Sequence, residues 1–368
     1  MSSVKNTVED ASRGTGSLQA DPGDFENQDG LITRLFKAQA FQILLVLVII
    51  VVIFSILSPG NFAQFSNLRL IVQNASILAV LGVGMTYVII TAGIDLSVGS
   101  VLVFSGVVAA MVMRAIGGDG WGVATIGIVV AIVSGLTWGI INGVLIAKAK
   151  VPPLIVTLGT LGMALGSAQI LTGGIDIREA PTVLSDVIGY GNIFGGVPIL
   201  SVIALVVVVI GGIVLRYTRF GRYTYAVGSS EEASRRVGVK VDRHLIKVYA
   251  LAGALAGLAG ILSLAQFSTT AIAGQSTTNL NVIAAVVIGG TSLFGGFGTI
   301  FGTVVGLFIP AVLQNGFVIT GVQPFWQQVA VGAVLIGAVY VDQARRASAL
   351  RGGKSQSLWR KLVSGKSQ

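Results

Sequence analysis

The sequence predicts an all-α integral membrane protein of about ten transmembrane helices with an inverted internal repeat. Hydrophobic residues make up 53% of the chain and charged ones only 11%. A soluble domain carries about 25% charged residues, so too little polar surface is left to hold this fold in water. The apolar residues gather in blocks near the roughly 20 residues that cross a bilayer core of about 30 Å. With the N-terminus placed inside, 21 of the 24 lysines and arginines fall on the inner side, as the positive-inside rule requires. Only Arg69, Arg114 and Arg178 fall elsewhere.

Residues 1–40 are polar, carry Glu9, Asp10, Asp21, Asp24, Glu26 and Asp29, and have no apolar core behind a basic start. They read as a mostly disordered cytoplasmic tail rather than a signal peptide. The transmembrane domain is expected over 41–341. Its first span runs from Phe41 to Leu57 and stops at Ser58-Pro59-Gly60. Nine more are expected at 69–92, 98–113, 121–146, 153–172, 197–216, 246–266, 279–290, 299–317 and 325–341. The stretches 98–113 and 279–290 are short enough to be broken or re-entrant, which lipid tolerates only where protein or water covers the backbone. No block alternates with period two, which argues against a transmembrane barrel. Residues 342–368 form a basic cytoplasmic tail, expected to face anionic headgroups rather than nucleic acid.

The repeat shows in Asn142-Gly143-Val144-Leu145-Ile146 and Asn315-Gly316-Phe317-Val318-Ile319, with Pro152-Pro153 near Pro324 in the matching place. Five spans separate the copies, so parity sets them in opposite orientations, as in many transporters.

Few residues could carry chemistry. There is no cysteine and the one histidine, His244, falls in an expected cytoplasmic loop, so neither a metal nor a cofactor site is expected. Asp95, in Gly93-Ile94-Asp95-Leu96-Ser97-Val98-Gly99-Ser100, is the acid nearest the apolar core. It is placed to cap the next helix or to meet a solute or ion directly; both readings are open. Asn74, Ser97, Gln169, Asn279 and Gln314 lie in spans or at their ends, either lining a path or bonding helix to helix. A run rich in glycine, from Gly289 and Gly290 through Gly295, Gly296 and Gly298, lacks the Gly-Lys-Ser/Thr of a nucleotide loop. With Gly93 and Gly99 it reads as tight re-entry and close packing.

The cytoplasmic segment Arg216 to Lys247 holds a capped helix: Ser229 or Ser230 at its start, Glu231 and Glu232 in the first turn, Ala233 within it, Arg235 and Arg236 at the end, and Gly238 as the stop. Such a helix is a knob that another protein can grip, or simply a solvated loop. The outer loop Gly173 to Gly196, with Asp176, Arg178, Glu179 and Asp186, is long for a connection and reads as a docking surface or a passive lid.

In this order the segments resemble the permeases of ribose-, xylose- and galactose-type ABC sugar importers, within the broader branched-chain amino acid and monosaccharide permease superfamily. The resemblance rests on Gly93 to Gly99, on Gly221-Arg222, Ala226, Gly228, Glu232-Ala233 and Gly238, and on Gly289 to Thr299, and covers residues 40–342. It implies that two permease copies form a path for a monosaccharide. It further implies that separate ATP-binding subunits clasp the coupling helix around Ser230 to Gly238, and that a periplasmic or lipoprotein sugar-binding protein docks outside. The permease itself would be non-catalytic and multi-pass in a bacterial inner membrane, with both termini cytoplasmic. The competing expectation is a stand-alone secondary transporter or facilitator of a small polar solute, which needs a buried ion or proton site that only Asp95 could supply.

Overall fold

A computed structural model describes residues 39–323, apart from Phe194 and residues 273–277, together with part of 326–343. Apart from residues 39, 40 and 343, the two expected tails lie outside the described residues. The helices are α1 (Gln39–Leu57), α2 (Phe65–Ile90), α3 (Val98–Ile116), α4 (Trp121–Ala147), α5 (Pro153–Thr172) and α6 (Ile199–Tyr217). They continue as α7 (Arg219–Ser229), α8 (Glu231–Arg236), α9 (Val241–Phe267), α10 (Thr278–Ile288) and α11 (Ile300–Ile319). Among the described residues, seven helices (α2 to α6, α9 and α11) are long and apolar enough to cross a membrane, and α1 and α10 contribute shorter apolar stretches. Of the last expected span, the described positions 326, 328–333, 336–337 and 339–340 are helical.

Helix boundaries follow local chemistry. Pro153 opens α5, where its missing N–H is no loss, and Gly173 closes it in the left-handed conformation. The stretch expected to end at 113 continues unbroken to Ile116, giving α3 19 residues. Along α1 and α6, Leu44, Val48, Val52, Leu205, Val209 and Ile213 are all about half exposed. Water would not tolerate such belts, and lipid requires them.

The hub is α9, packed against α4, α3 and α2. It runs antiparallel to α4 along a seam of small residues: an added Cβ at Gly143 would come 2.7 Å from the Ile246 Cα, and one at Gly139 3.0 Å from the Ala250 Cα. At Gly135 it would strike the backbone of Gly253 and Gly257. Backbones this close replace the missing hydrophobic drive between helices in lipid with dispersion contact. Asn74 with Gln266 and Gly84 with Ala252 set α9 antiparallel to α2. Asn67 with Asn315 and Thr86 with Thr303 set α2 antiparallel to α11. It follows that α4 and α11 point opposite ways, so Asn142 and Asn315 lie at opposite ends of the bundle.

One expectation needs correction. His244 lies not in a loop but in the first turn of α9, buried, with its ring 4.8 Å from that of Phe220. Helix α9 begins five residues before its apolar run because its charged first turns project beyond the hydrocarbon. The outer loop carries a π-helical turn at Leu184–Gly189 and a small hairpin of β1 (Asn192–Ile193) and β2 (Val197–Pro198).

Candidate functional site

Between α2 and α3 the chain leaves helical geometry for Ala92 to Ser97. Helix α2 ends in a Schellman arrangement: Gly93 N–H donates to the Val88 carbonyl over 3.1 Å and Ala92 N–H to that of Ile89 over 2.9 Å. Ala92 holds the left-handed position that glycine usually takes, at φ 59°. The following segment is held by a turn of its own and pinned from three neighbouring helices. The Asp95 carboxylate accepts from Ser97 N–H at 2.9 Å and from the Ser97 hydroxyl at 2.6 Å. Asn142 of α4 donates to that same hydroxyl oxygen at 2.9 Å. Thr157 of α5 donates to the Ile94 carbonyl at 3.2 Å, and Asn279 of α10 to the Leu96 carbonyl at 3.0 Å. Asp95 and Ser97 are 2% and 1% exposed, so every backbone group here must find protein partners.

Asp95 therefore sits two residues ahead of Ser97, the residue that flanks α3, and closes a local turn. Around it the Asn142 Oδ1, Asn279 Oδ1 and Tyr249 Oη atoms are buried without hydrogen-bond partners among the described residues. A Cβ at Gly93 would run into the Tyr249 hydroxyl. Gly99 is buried in the first turn of α3.

A second interruption lies between α10 and α11. Gly290, Gly295 and Gly296 take φ of 90°, 80° and 75°, a backbone that residues with a Cβ rarely adopt. Gly289 packs on Gly302, where a Cβ would overlap the backbone. This turn meets the end of α2: Gly296 N–H donates to the Ile90 carbonyl over 2.8 Å.

Helix α7 rests against both interruptions, and α8 follows it. Ser230 caps α8 by accepting from Ala233 N–H at 3.2 Å. Gly238, at φ 87°, closes it: Val239 N–H donates to the Ser234 carbonyl and Gly238 N–H to that of Arg235, each over 3.0 Å. Glu231 pairs with Arg235 at 2.8 Å, Glu232 pairs with Arg236, and Arg235 also reaches Asp242. Those carboxylates, Asp242 first, push the Arg235 guanidinium further toward its charged form. Ser234 is buried, and the rest of α8 stands exposed.

Helix α7 was not expected from sequence. It buries Gly221, Thr224 and Val227, and Tyr225 donates its hydroxyl to the Gly298 carbonyl over 2.7 Å. Any Cβ at Gly228 would collide with the Ile90 carbonyl and come 2.7 Å from Gly296 N. Tyr225, Thr157 and Tyr249 are thus site residues that sequence reasoning missed, while Asn142 and Gly228 stood out only as a repeat position and a family-motif position. The spacing of Gly221, Thr224 and Gly228 was the available signal, a helical face of small residues.

The remaining expected path residues separate. Asn74 accepts from Gln266 at 2.7 Å, a helix-to-helix bond. Gln169 on α5 and Gln314 on α11 are exposed. On α5, Gly159, Gly162 and Gly166 also face open space. In the outer loop Asp176 accepts from Ile272 N–H at 2.7 Å, Glu179 pairs with Arg114 at 3.1 Å, and Arg178 and Asp186 lie nearby in sequence.

A family model described as the branched-chain amino acid transport system permease component matches residues 67–339. The ribose import permease protein of Escherichia coli (strain K12) is 39% identical over 308 residues, 82% of this chain and 93% of that protein. Its counterpart in Bacillus subtilis (strain 168) is 38% identical over 303 residues, covering 82% and 92%. The fructose import permease protein of Rhizobium meliloti is 35% identical over 315 residues, covering 84% and 86%. No solved structure matches significantly.

Proposed function

The chain belongs to the branched-chain amino acid transport system permease family, and from that premise we propose that it is the membrane-spanning subunit of an ATP-driven monosaccharide importer. The sugar is supported by relatives described as ribose, fructose and allose permeases. In this reading the permease is not itself an enzyme, and ATP is hydrolysed by separate subunits that grip α8. A sugar-binding protein delivers solute to the outer face, in a bacterial inner membrane with both termini cytoplasmic.

One observation carries the coupling: α7 joins the exposed α8 to both interruptions in the spans, through Tyr225 on the Gly298 carbonyl and Gly228 against Ile90 and Gly296. A displacement of α8 is passed by a short rigid helix to the end of α2 and to the α10–α11 turn. Turns between helices are the places where a chain absorbs such a displacement without breaking a continuous helical ladder. The unpartnered atoms of Asn142, Asn279 and Tyr249 are groups that another arrangement of the break would satisfy. The inverted arrangement of the two halves is supported by the placement of Asn142 and Asn315 at opposite ends.

A second permease copy is supported by α5. Its open Gly159, Gly162 and Gly166 and exposed Gln169 stand among exposed Leu158, Met163 and Ile170, a mixture of small, polar and apolar groups that suits packing against another helix. The test is uptake into proteoliposomes of radiolabelled ribose, fructose and allose. Uptake is expected only when the ATP-binding and sugar-binding partners are added with ATP; robust uptake by this chain alone would establish a stand-alone carrier instead.

A further inference from the structure

A cavity of about 460 Å³ opens between the first turns of α7 and those of α9. Arg219 contributes a cation from one wall, and Lys240, Arg243 and Lys247 from the other. None of the four has a carboxylate partner among the described residues. The acids nearby are taken: Asp242 by Lys150 and Arg235, Glu231 by Arg235, and Glu232 by Arg236. The cavity therefore concentrates uncompensated positive charge, and a buried, aromatic side completes it. His244, 5% exposed, shares a hydrogen bond with Thr224 at 3.1 Å and lies against Phe220 and Tyr223.

Depth identifies the ligand's source. Lys247 is the last charged residue before the apolar run of α9, and Arg216 is the first to follow the apolar run of α6. Both walls of the cavity thus begin where hydrocarbon ends, at the level of lipid headgroups. The outward face of α6, with Leu205, Val209 and Ile213 exposed, leads down to Tyr217 and Arg219 and gives acyl chains a surface beside the opening.

We propose that this cavity holds the phosphate of an anionic phospholipid, which ties α7 to α9 beside the coupling helix. Basic pockets at the cytoplasmic ends of membrane helices suit such headgroups, and guanidinium groups take phosphate oxygens in pairs. The leaflet rests on the orientation proposed above, but binding does not, so single-cysteine labelling and lipid titration fail separately.

The full chain, purified and delipidated in detergent, would be titrated with cardiolipin, phosphatidylglycerol and phosphatidylcholine and read by native mass spectrometry. The anionic lipids are expected to bind at least tenfold more tightly than phosphatidylcholine. Each cation removed should weaken them about fivefold, so R219A/R243A should approach the phosphatidylcholine level, while R219K/R243K restores much of the difference and K148A changes nothing. Equal binding of all three lipids, or full anionic selectivity in R219A/R243A, would overturn the proposal. So would displacement of cardiolipin by millimolar inorganic phosphate, which assigns the cavity to a free anion. If the wild-type chain shows no lipid selectivity and R219A/R243A loses only its ATP-binding partner, the cavity receives acidic side chains of a protein and the lipid assignment falls.

Discussion

The Tyr225 hydroxyl donates to the Gly298 carbonyl over 2.7 Å, joining a cytoplasmic helix to the turn between two spans. Burial pushes the phenol up, with Arg216 opposing, so Tyr225 stays a donor throughout the neutral range.

Replacing Tyr225 by Phe removes this bond and little else. A loss of about 1 kcal/mol in stability is expected, together with a marked drop in ATPase stimulation by loaded binding protein. Assembly with the ATP-binding subunits should persist in pull-down. Normal stimulation in Y225F would mean that the bond transmits nothing.

On α8, Glu232→Arg or Ala233→Trp should uncouple ATP hydrolysis from uptake. Both positions are exposed, so thermal stability should stay within about 0.5 kcal/mol of the parent. Unchanged uptake with unchanged ATPase activity would count against α8 as the grip.

At the α2–α3 break, Asp95→Ala strands the buried Ser97 N–H and hydroxyl and should cost about 1–3 kcal/mol in unfolding measurements. Asp95→Asn keeps an acceptor and should recover most of that. If Asp95 instead meets the solute, the Asn variant would fold normally yet raise the KM for uptake, and that split separates the two roles.

Two glycines of similar hydropathy should behave in opposite ways. Gly139→Leu forces a side chain into the backbone of Tyr249 and Ala250, and a loss of about 3 kcal/mol or more is expected. Gly162→Cys faces open space, so it should fold normally. In this chain without native cysteine it should cross-link to a second copy. A variant that transports but never cross-links at 159, 162 or 166 would remove α5 from the interface between copies.

The spans were legible because length and hydropathy alone set them: α5 falls at 153–172, where the apolar run stands. The α8 cap was legible too, since Ser230, Glu231 and Gly238 lie within one local motif. Helix α7 escaped because its buried face is Gly221, Thr224 and Val227, which leaves no large apolar stripe in the sequence. The pairings at the break escaped for another reason, although Asn142 and Asn279 themselves stood out in the sequence. Asn142, Thr157 and Asn279 reach Ser97, Ile94 and Leu96 across 45, 63 and 183 residues, and nothing local ties such positions together. His244 was misread because the charge around it hides a helix that starts outside the hydrocarbon.

The α4–α9 seam limits how this protein can change shape. Along Gly135, Gly139 and Gly143 the two main chains touch with no side chain between them. A tilt or slide of one past the other would drive carbonyl oxygens into the opposite backbone, with no rotamer available to absorb it. The pair is therefore a single stiff strut running the depth of the bundle. In the transport cycle proposed above, gating falls to pieces that swing about this strut, above all the ends of α2 and α10 beside their turns.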